Sequence, residues 1–214
     1  MRITILTDKS SWMQEYSFQL SEKLRCKKHE VFLINSKNDI EKGDVLFLLS
    51  CFQLVKRDVL ALNKHNIVVH ASHLPSGKGW SPLTWQILEG ENRIHLTLFE
   101  AVEDMDAGNI YLNGAIVLDG TELLSEARYK LANEIQNMCL DYIENNYGTE
   151  GIHQEGESTF YRRRTPEDSE LDINKTIDEQ FNLLRIVDNE RYPAFFVKNG
   201  VKYILTIRKA KENE

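Results

Sequence analysis

The chain has only three cysteines among its 214 residues, and it has no long apolar segment. Cys26, Cys51 and Cys139 are far apart, and no Cys-x-x-Cys pair occurs, so neither a zinc site nor a dithiol redox motif is predicted. No apolar run approaches the roughly 18–20 residues that span a bilayer. These absences favour a cytoplasmic protein with reduced thiols and without a membrane partner.

The glycine fingerprints of nucleotide cofactors are missing as well. Thr7–Ser10 follows the first predicted strand, where a dinucleotide-binding chain has Gly-x-Gly-x-x-Gly, and Gly77–Gly79 matches no Walker motif. NAD and ATP are therefore not expected as cofactors. The 26 basic and 33 acidic residues give a net charge of −7, which argues against nucleic acid as a partner.

Strand and helix patterns alternate along the first 150 residues. Strands are predicted at Arg2–Thr7, Glu30–Asn35, Asp44–Ser50, Ile67–His70, Ile94–Phe99 and Asn109–Leu118, and helices at Ser11–Cys26, Arg57–Asn66, Pro82–Gly90 and Thr121–Asn146. The third strand is apolar on both faces, as a central strand should be. This order is typical of an α/β fold with an open, mostly parallel twisted sheet flanked by helices.

A polar stretch with several glycines, Tyr147–Ser158, predicts a linker. Beyond it, Thr176–Val187 predicts a helix, and Tyr192–Lys198 and Val201–Arg208 predict a hairpin turning at Asn199-Gly200. We therefore divide the chain into a catalytic domain over residues 1–150 and a small helix-and-hairpin extension over residues 151–214. The extension is too small to stand alone, so we expect it to pack on the first domain, although its apolar hairpin would suit a homodimer equally.

The segment from His70 to Tyr111 places a histidine and an acidic turn at opposite ends of a strand–loop–helix–strand unit. Loops at the carboxyl ends of strands line the ligand crevice of open α/β sheets, so His70 and Asp106 are expected to meet there. Imidazole can act as a base, an acid or a hydrogen-bond donor near neutral pH. Taken alone, His70 also fits a buried strand-end histidine, and Asp106 a simple turn residue.

Three short patterns in this segment carry a resemblance: His-x-Ser-x-Leu-Pro from His70, Gly-x-x-Pro from Gly79 and Asp-x-Gly from Asp106. Together they resemble the family of formyltransferases that use N10-formyltetrahydrofolate as the formyl donor. The resemblance implies a Rossmann-like formyltransferase core and a reaction that needs no metal. It also implies that His70 and Asp106 are catalytic, with Asp106 orienting the imidazole and assisting deprotonation of the acceptor amine.

The chain departs from the family at one position. Members usually have Asn two residues before the motif histidine, where it helps to hold the oxyanion, and this chain has Val68. Asn66, Ser72, His73 and the backbone amides of Gly77–Gly79 are the candidates to replace that donor. Asn66 lies on the same strand face but about 6–7 Å further back, which makes it a poor substitute.

The resemblance also implies where folate binds. A loop after the central strand would hold the pterin, and a stretch of the acidic loop would close the other side of that pocket. The residues are Cys51, Phe52, Gln53, Leu54 and Val55 in the first and Val102, Glu103 and Asp104 in the second. Recognition would use backbone groups, so side-chain identity at Gln53, Leu54 and Val55 should constrain little. From the residues alone, the first loop is equally a plain strand-to-helix connection, and Cys51 has no partner that would make it a nucleophile.

The C-terminal residues restrict the class of acceptor substrate that the resemblance implies. Phe160–Ser169 and Tyr192–Phe195 resemble the region after the catalytic core in formyltransferases of nucleotide-linked amino sugars, and they do not resemble the barrel that methionyl-tRNA formyltransferase appends. Lys78–Trp85 and Phe99–Val102 are most similar to the enzyme that formylates the 4-amine of UDP-2-acetamido-4-amino-2,4,6-trideoxy-L-altrose. The resemblance therefore implies a nucleotide-linked amino sugar as acceptor.

Contacts to this acceptor are assigned to Lys9, Ser10, Trp12, Ser72, Lys78, Arg162, Arg163 and Arg164. The three arginines would either bind a diphosphate with forked donors or simply face solvent. Two other readings stay open. One is formylation of a different amine, such as a dTDP-amino sugar, an aminoacyl-tRNA or a carrier-bound amino acid. The other is a folate-binding protein without turnover, for which Val68 is the support.

Overall fold

A computed structural model describes residues 1–210 and contains ten strands and five α-helices in that part of the chain. In chain order these are β1 (Arg2–Leu6), α1 (Gln14–Cys26), β2 (Glu30–Ile34), β3 (Gly43–Leu48), α2 (Arg57–Leu60), β4 (Asn63–His70), β5 (Lys78–Gly79), α3 (Pro82–Leu88), β6 (Arg93–Glu100), β7 (Ile110–Val117), α4 (Leu124–Asp141), β8 (Phe160–Tyr161), α5 (Phe181–Ile186), β9 (Ala194–Lys198) and β10 (Val201–Leu205).

Six of the strands form the central sheet, in the spatial order β2-β1-β3-β4-β6-β7. The first four are parallel to one another, whereas β6 is antiparallel to both β4 and β7. Five strands therefore run in one direction and β6 alone runs against them. The predicted α/β fold with a mostly parallel sheet and flanking helices is confirmed.

Both faces of the sheet are covered by apolar side chains, which explains the unbroken apolar run of β3. Val45 and Phe47 point into the large core beneath α1 and α4, while Leu46 packs on the opposite face with Leu6 and Ile40. Alternate residues of one strand thus enter two different apolar layers, as period-two geometry requires.

Two predicted helices are shorter than expected. The helix predicted over Arg57–Asn66 is a single turn, α2, because Asn63–Asn66 instead pair with β3 as the start of β4. The long helix begins at Leu124, where the Glu126 carboxylate accepts a hydrogen bond from the Leu123 amide, and its α-helical part ends at Asp141. Sheet pairing and capping, which are tertiary and local effects respectively, decide these boundaries.

The C-terminal residues contact the sheet region at several points. Ile152 exchanges two backbone hydrogen bonds with Ile110, and β8 pairs with β5. The buried guanidinium of Arg185 donates to the Glu122 carbonyl and pairs with the Glu122 carboxylate at 3.2 Å. The expected packing of this segment on the first 150 residues is therefore seen, while the domain boundary at residue 150 stays a prediction.

The predicted hairpin is present as β9 and β10. Its turn residues Asn199 and Gly200 have φ of +50° and +79°, as a type I′ turn requires. The hairpin exposes Val201 and Ile204, and the homodimer suggested for this face stays a prediction. Within residues 1–210, none of the helices combines the length and the apolar character needed to cross a membrane.

Candidate active site

His70 and Asp106 lie side by side at the base of a cleft. His70 is the last residue of β4, and its Nε2 is 4.0 Å from Asp106 Oδ2. The two side chains are only 11% and 15% exposed. Nε2 also lies 2.8 Å from the carbonyl oxygen of Gly77. Because a carbonyl only accepts, this bond requires a proton on Nε2.

Asp106 reaches His70 by a different route from the one expected. β6 runs antiparallel to β4, so it ends at Glu100 opposite Ile67, away from His70. The argument from carboxyl ends of parallel strands is therefore wrong for this strand. The loop from residue 101 to residue 109 folds back toward His70 instead, and Asp106 Oδ2 accepts a hydrogen bond of 2.9 Å from the Gly79 amide.

The fold-back of this loop depends on two special backbone positions. Asp106 has φ of +51°, in the left-handed region that non-glycine residues seldom adopt. At Gly108 a Cβ atom would lie 1.8 Å from the Glu100 carbonyl oxygen, so only glycine fits. The Asp-x-Gly pattern is thus a requirement of the backbone path as well as the source of a carboxylate.

The cleft around the pair has a volume of about 390 Å³. Among the described residues, five non-glycine positions have clearly positive φ, and three of these, Ser50, Ser81 and Asp106, line the cleft. Strained backbone of this kind persists only where the surrounding structure holds it, and it concentrates at functional sites. Phe52 and Trp80 stack at the cleft with their ring centroids 5.3 Å apart.

The predicted pterin loop forms one wall of the cleft through Cys51, Phe52, Gln53 and Leu54. The Phe52 amide donates to Asp8, and the Gln53 side-chain amide donates to Asp8 and to the Asn35 carbonyl. Gln53 also accepts a hydrogen bond from the Lys37 amide. The Gln53 side chain therefore anchors the loop, a structural role that the sequence did not indicate, and pterin recognition through backbone groups stays a prediction.

Cys51 lies in the same wall, and burial raises the pKa of its thiol to about 11. Desolvation disfavours the thiolate, so this thiol is protonated at neutral pH and is a poor nucleophile. This agrees with the expectation drawn from the sequence.

Four of the predicted folate contacts lie outside the cleft lining. Val55 packs on the opposite face of the sheet with the cluster of Leu46. Val102, Glu103 and Asp104 are exposed, and the same loop lines the cleft with Met105 and Asp106 instead. The difference follows from the fold-back, which brings the end of the loop, and not its beginning, over His70.

The predicted acceptor contacts divide into two groups. Trp12 lines the cleft, and exposed Lys9 and Ser10 lie just before it in the chain, with the Ser10 carbonyl accepting from Arg191. Ser72 and Lys78 are buried behind the cleft wall and are absent from its lining. The structure therefore does not bring Ser72 and Lys78 to the cleft surface, and their assignment as acceptor contacts stays a prediction.

Arg128 of α4 lines the cleft and was missed from the sequence. Its guanidinium lies 5.6 Å from the Trp12 ring centroid and 3.3 Å from an oxygen of Asp188. A signal was present in the helix pattern, since residue 128 interrupts the apolar stripe of Leu124, Leu131 and Ile135. A charge on an otherwise apolar face that lines a cleft indicates a ligand contact.

The three consecutive arginines have different surroundings. Arg162 pairs with the carboxylate of Asp168, and its hydrogen bonds hold the pKa of that carboxyl at about 2. Arg164 donates to the Asp168 carbonyl oxygen. Arg163 has no acidic partner among residues 1–210, and its guanidinium lies 5.2 Å from the ring centroid of Trp80 at the cleft. Of these three arginines, only Arg163 is placed to meet an anionic ligand.

Val68 lines the cleft at the position where the family has its oxyanion donor. Asn66 does not replace it, because its side-chain amide donates to the Leu60 carbonyl away from the cleft. His73 is also turned away, with its ring packed edge-on against His95 at a centroid distance of 5.3 Å.

The backbone amides proposed as substitutes are all occupied. Those of Gly77 and Lys78 donate to Thr159, and that of Gly79 donates to Asp106. Ser72 is buried. Of the groups considered, this leaves the Nε2–H of His70, which must exchange its hydrogen bond to the Gly77 carbonyl for one to the oxyanion.

Comparison with known proteins places this arrangement in context. Residues 11–141, more than half of the chain, match the family described as Formyl transferase. Over 154 residues the chain is 30% identical to a methionyl-tRNA formyltransferase of Mycoplasma capricolum, covering 69% of this chain and 49% of that protein. The chain thus spans about half the length of this curated relative.

Three solved structures share the fold. A methionyl-tRNA formyltransferase from Clostridium thermocellum has a TM-score of 0.83 and 19% identity, with 100% of this chain and 96% of that one covered. HypX from Aquifex aeolicus in complex with tetrahydrofolic acid has a TM-score of 0.80 and 18% identity, covering 96% and 37%. A 4-N formyltransferase from Francisella tularensis has a TM-score of 0.69 and 18% identity, covering 98% of both chains.

Proposed function

Because this chain belongs to the formyl transferase family, we propose that it transfers the formyl group of N10-formyltetrahydrofolate to the primary amine of a nucleotide-linked amino sugar. The observation that carries the proposal is the approach of His70 Nε2 to Asp106 Oδ2, at 4.0 Å, in a cleft of about 390 Å³. An imidazole and a carboxylate at this separation can exchange protons with a ligand held between or beside them.

The chemistry follows from these two groups. The acceptor amine attacks the formyl carbon, a new carbon–nitrogen bond forms, and the bond from that carbon to N10 of tetrahydrofolate breaks. The Nε2–H of His70 exchanges its hydrogen bond to the Gly77 carbonyl for one to the tetrahedral oxyanion. Asp106 takes the proton that the attacking amine loses, and this proton finally passes to N10. Stabilising a developing oxyanion in a desolvated site is worth several kcal/mol, about 3–4 for one donor.

For the formyl donor, support comes from the wall formed by residues 50–54 and by Met105. This wall is apolar at Leu48 and Leu54, and the left-handed backbone at Ser50 turns the chain there. Clefts with apolar sides and a few fixed polar groups are typical small-molecule sites. We place the pterin here.

For the acceptor, support comes from two cations that lie over aromatic rings at the cleft. Arg128 and Arg163 each lie over an indole, of Trp12 and Trp80 respectively. A guanidinium over an aromatic ring suits a ligand that carries both phosphate and a flat base. Within this class, we propose the UDP-linked 2-acetamido-4-amino-2,4,6-trideoxy-L-altrose, on the sequence resemblance of residues 78–85.

A second acceptor, methionyl-tRNA, is favoured by the 30% identity to the Mycoplasma capricolum protein. The net charge of −7 opposes it, since a polynucleotide backbone is bound chiefly by an excess of basic residues. A gel-shift with charged initiator tRNA, together with a formylation assay on that tRNA, separates the two acceptors.

The test of the proposal is mass spectrometry after incubation with N10-formyltetrahydrofolate and a panel of UDP- and dTDP-linked 4-amino sugars. We expect a gain of one formyl mass on one UDP sugar and none with Asp106→Asn protein. Formylation of the tRNA alone would replace the sugar by the second acceptor. Folate binding without any formylated product would instead favour a folate-binding protein without turnover, in which Val68 stands in place of the Asn that donates to the oxyanion.

A further inference from the structure

The segment from residue 151 to residue 161, which overlaps the linker predicted over Tyr147–Ser158, contacts both loops that flank His70 and Asp106. We call it the clamp segment. Its first contact is with the loop of Asp106. The side-chain amide of Gln154 donates to the Asp106 carbonyl at 2.9 Å and to the Gly108 carbonyl at 2.8 Å. One side chain thus holds the backbone on both sides of Ala107.

These two hydrogen bonds are made where the loop most needs them. Asp106 has φ of +51°, and a backbone in this region reverts to an ordinary conformation unless its surroundings hold it. The Oε1 of Gln154 is buried without a hydrogen-bond partner among the described residues. Burying this Oε1 atom without a hydrogen-bond partner costs free energy. The side chain therefore contributes to the structure through its two N–H groups, which bond the Asp106 and Gly108 carbonyls.

The second contact is with the loop after β4. Thr159 Oγ1 accepts from the Gly77 amide at 2.8 Å, and the Thr159 carbonyl accepts from the Lys78 amide at 2.9 Å. This loop supplies the carbonyl of Gly77 that His70 Nε2 contacts, and the amide of Gly79 that Asp106 Oδ2 contacts. The clamp segment therefore fixes the polar partners of both reacting side chains.

We infer that Gln154 and Thr159 are positioning residues, which act through the two loops to hold His70 and Asp106 at reaction distance. The inference rests on the proposed function for its kinetic readout. Neither residue lines the cleft, so neither touches the ligands. Their substitution should lower the rate of the chemical step and leave ligand binding intact, since misplacement of reacting groups by about 1 Å costs on the order of a hundredfold in rate.

Gln154→Glu is the first test, because it keeps the shape and places an acceptor where two donors stood. We expect kcat to fall by about tenfold to a hundredfold, with the KM for N10-formyltetrahydrofolate unchanged. Glu155→Gln, a change at the exposed neighbour, serves as the matched control and should keep wild-type kinetics. Wild-type kcat in Gln154→Glu would overturn the assignment.

Thr159 offers an isosteric pair. Thr159→Val removes the Oγ1 acceptor of the Gly77 amide and should lower kcat. Thr159→Ser keeps this oxygen and should have a kcat near the wild-type value. A merely structural role predicts equal losses of melting temperature and of tetrahydrofolate binding in both variants, and this result would contradict the inference. Tryptophan fluorescence reports the binding, because Trp12 and Trp80 line the cleft.

A readout without turnover keeps the inference separate from the proposed function. The chain has six histidines, and ring resonances of His70 can be assigned in a ¹⁵N-histidine spectrum by their absence from His70→Asn protein. Gln154→Glu and Thr159→Val should shift these resonances, and Glu155→Gln should not. An unchanged His70 signal in both would overturn the positioning role, whereas an inactive wild type with shifted signals would refute only the proposed reaction.

Discussion

The central sheet and the C-terminal sixty residues are held by different forces. The sheet is built on apolar side chains that are fully buried, such as Ile5, Phe47 and Ile67. The C-terminal residues have a smaller apolar cluster around Leu184 and Ala194. They are joined to the rest by Ile186 and Leu183, which pack in the main core, and by polar contacts. The polar contacts include the buried pair of Arg185 with Glu122, the pair of Arg128 with Asp188 and the bonds of the clamp segment.

The same difference applies to the candidate site, where His70 belongs to the sheet and the loops around it are contacted by C-terminal residues. Burial of one apolar side chain contributes about 1.5–3 kcal/mol, so the sheet holds His70 at a fixed place almost regardless of single polar changes. A buried polar contact loses its benefit as soon as one partner is removed. The sheet therefore supplies the position of the histidine, and the C-terminal residues tune what surrounds it.

The largest expected effect tests the sheet side of the comparison. His70→Asn and Asp106→Asn should each lower kcat by about a thousandfold, within the range for a general acid or base, with little change in melting temperature. The backbone ladder of β4 does not depend on the His70 side chain. His73→Asn is the matched control, since this exposed ring packs on His95 outside the cleft. Equal losses in His73→Asn would contradict the assignment.

The next effect tests the C-terminal side. Arg185→Met should lower the free energy of unfolding by about 3 kcal/mol, because it leaves the Glu122 carboxylate buried without its arginine. The pair of Glu122 with Lys130 remains, which keeps the loss at the lower end of the range for a broken buried pair. Urea denaturation measures the change, and Arg163→Met provides an exposed comparison. If Arg185→Met lowered the free energy of unfolding no more than Arg163→Met does, the packing of the C-terminal residues would not depend on the pair of Arg185 with Glu122.

The third prediction concerns pH and the Cys51 thiol in the cleft wall. Burial raises the pKa of Cys51 from 9.0 to about 11, so at pH 8 the folded protein should hold about a hundredfold less Cys51 thiolate than the unfolded chain. The pKa rises because desolvation favours the neutral thiol over the thiolate. Alkylation of Cys51 in the folded protein should therefore accelerate only as the pH approaches 11. Iodoacetamide labelling followed by peptide mass spectrometry should find Cys51 far slower in native protein than in urea. Equal rates would show an open thiol.

The smallest effect sharpens the comparison within the arginine triplet. Arg163→Ala should raise the KM for a nucleotide-linked acceptor by about tenfold, since one charge-assisted contact contributes about 1.5 kcal/mol or somewhat more. Arg162→Ala should leave this KM unchanged, because that guanidinium is already paired with Asp168. Steady-state kinetics with the acceptor varied measures both. A larger effect of Arg162→Ala would reverse the assignment of the ligand contact.

Much of this molecule was predictable from short-range patterns. The unbroken apolar run of β3 and the Asn199-Gly200 turn are properties of neighbouring residues, and both elements were predicted close to their observed positions. The misplacement of Asn63–Asn66 as helix shows the limit. Their strand conformation is imposed by pairing with β3, which no local pattern reveals.

The site divides in the same way. The patterns around His70 and Asp106 predict both residues as catalytic, and the structure brings them within 4.0 Å of each other. The burial of Ser72 and Lys78 and the place of Arg128 in the cleft lining depend instead on how a loop and a helix pack. Gln154 was read as part of a polar linker, because its two acceptors are 46 and 48 residues away in sequence. Contacts across such separations leave no periodic signal.

Sequence alone predicts the α/β order of elements, the hairpin and His70 and Asp106 as candidate catalytic residues, because periodicity, turn chemistry and motif spacing are properties of neighbouring residues. The direction of β6, which runs antiparallel to both neighbours, is seen only in the folded structure. Because of that direction, the Asp106 loop has to fold back to approach His70, and Gln154 of the clamp segment donates hydrogen bonds to this loop. Strand direction and loop support depend on which distant groups pair, and the free energy of that pairing is settled only when the whole chain is packed.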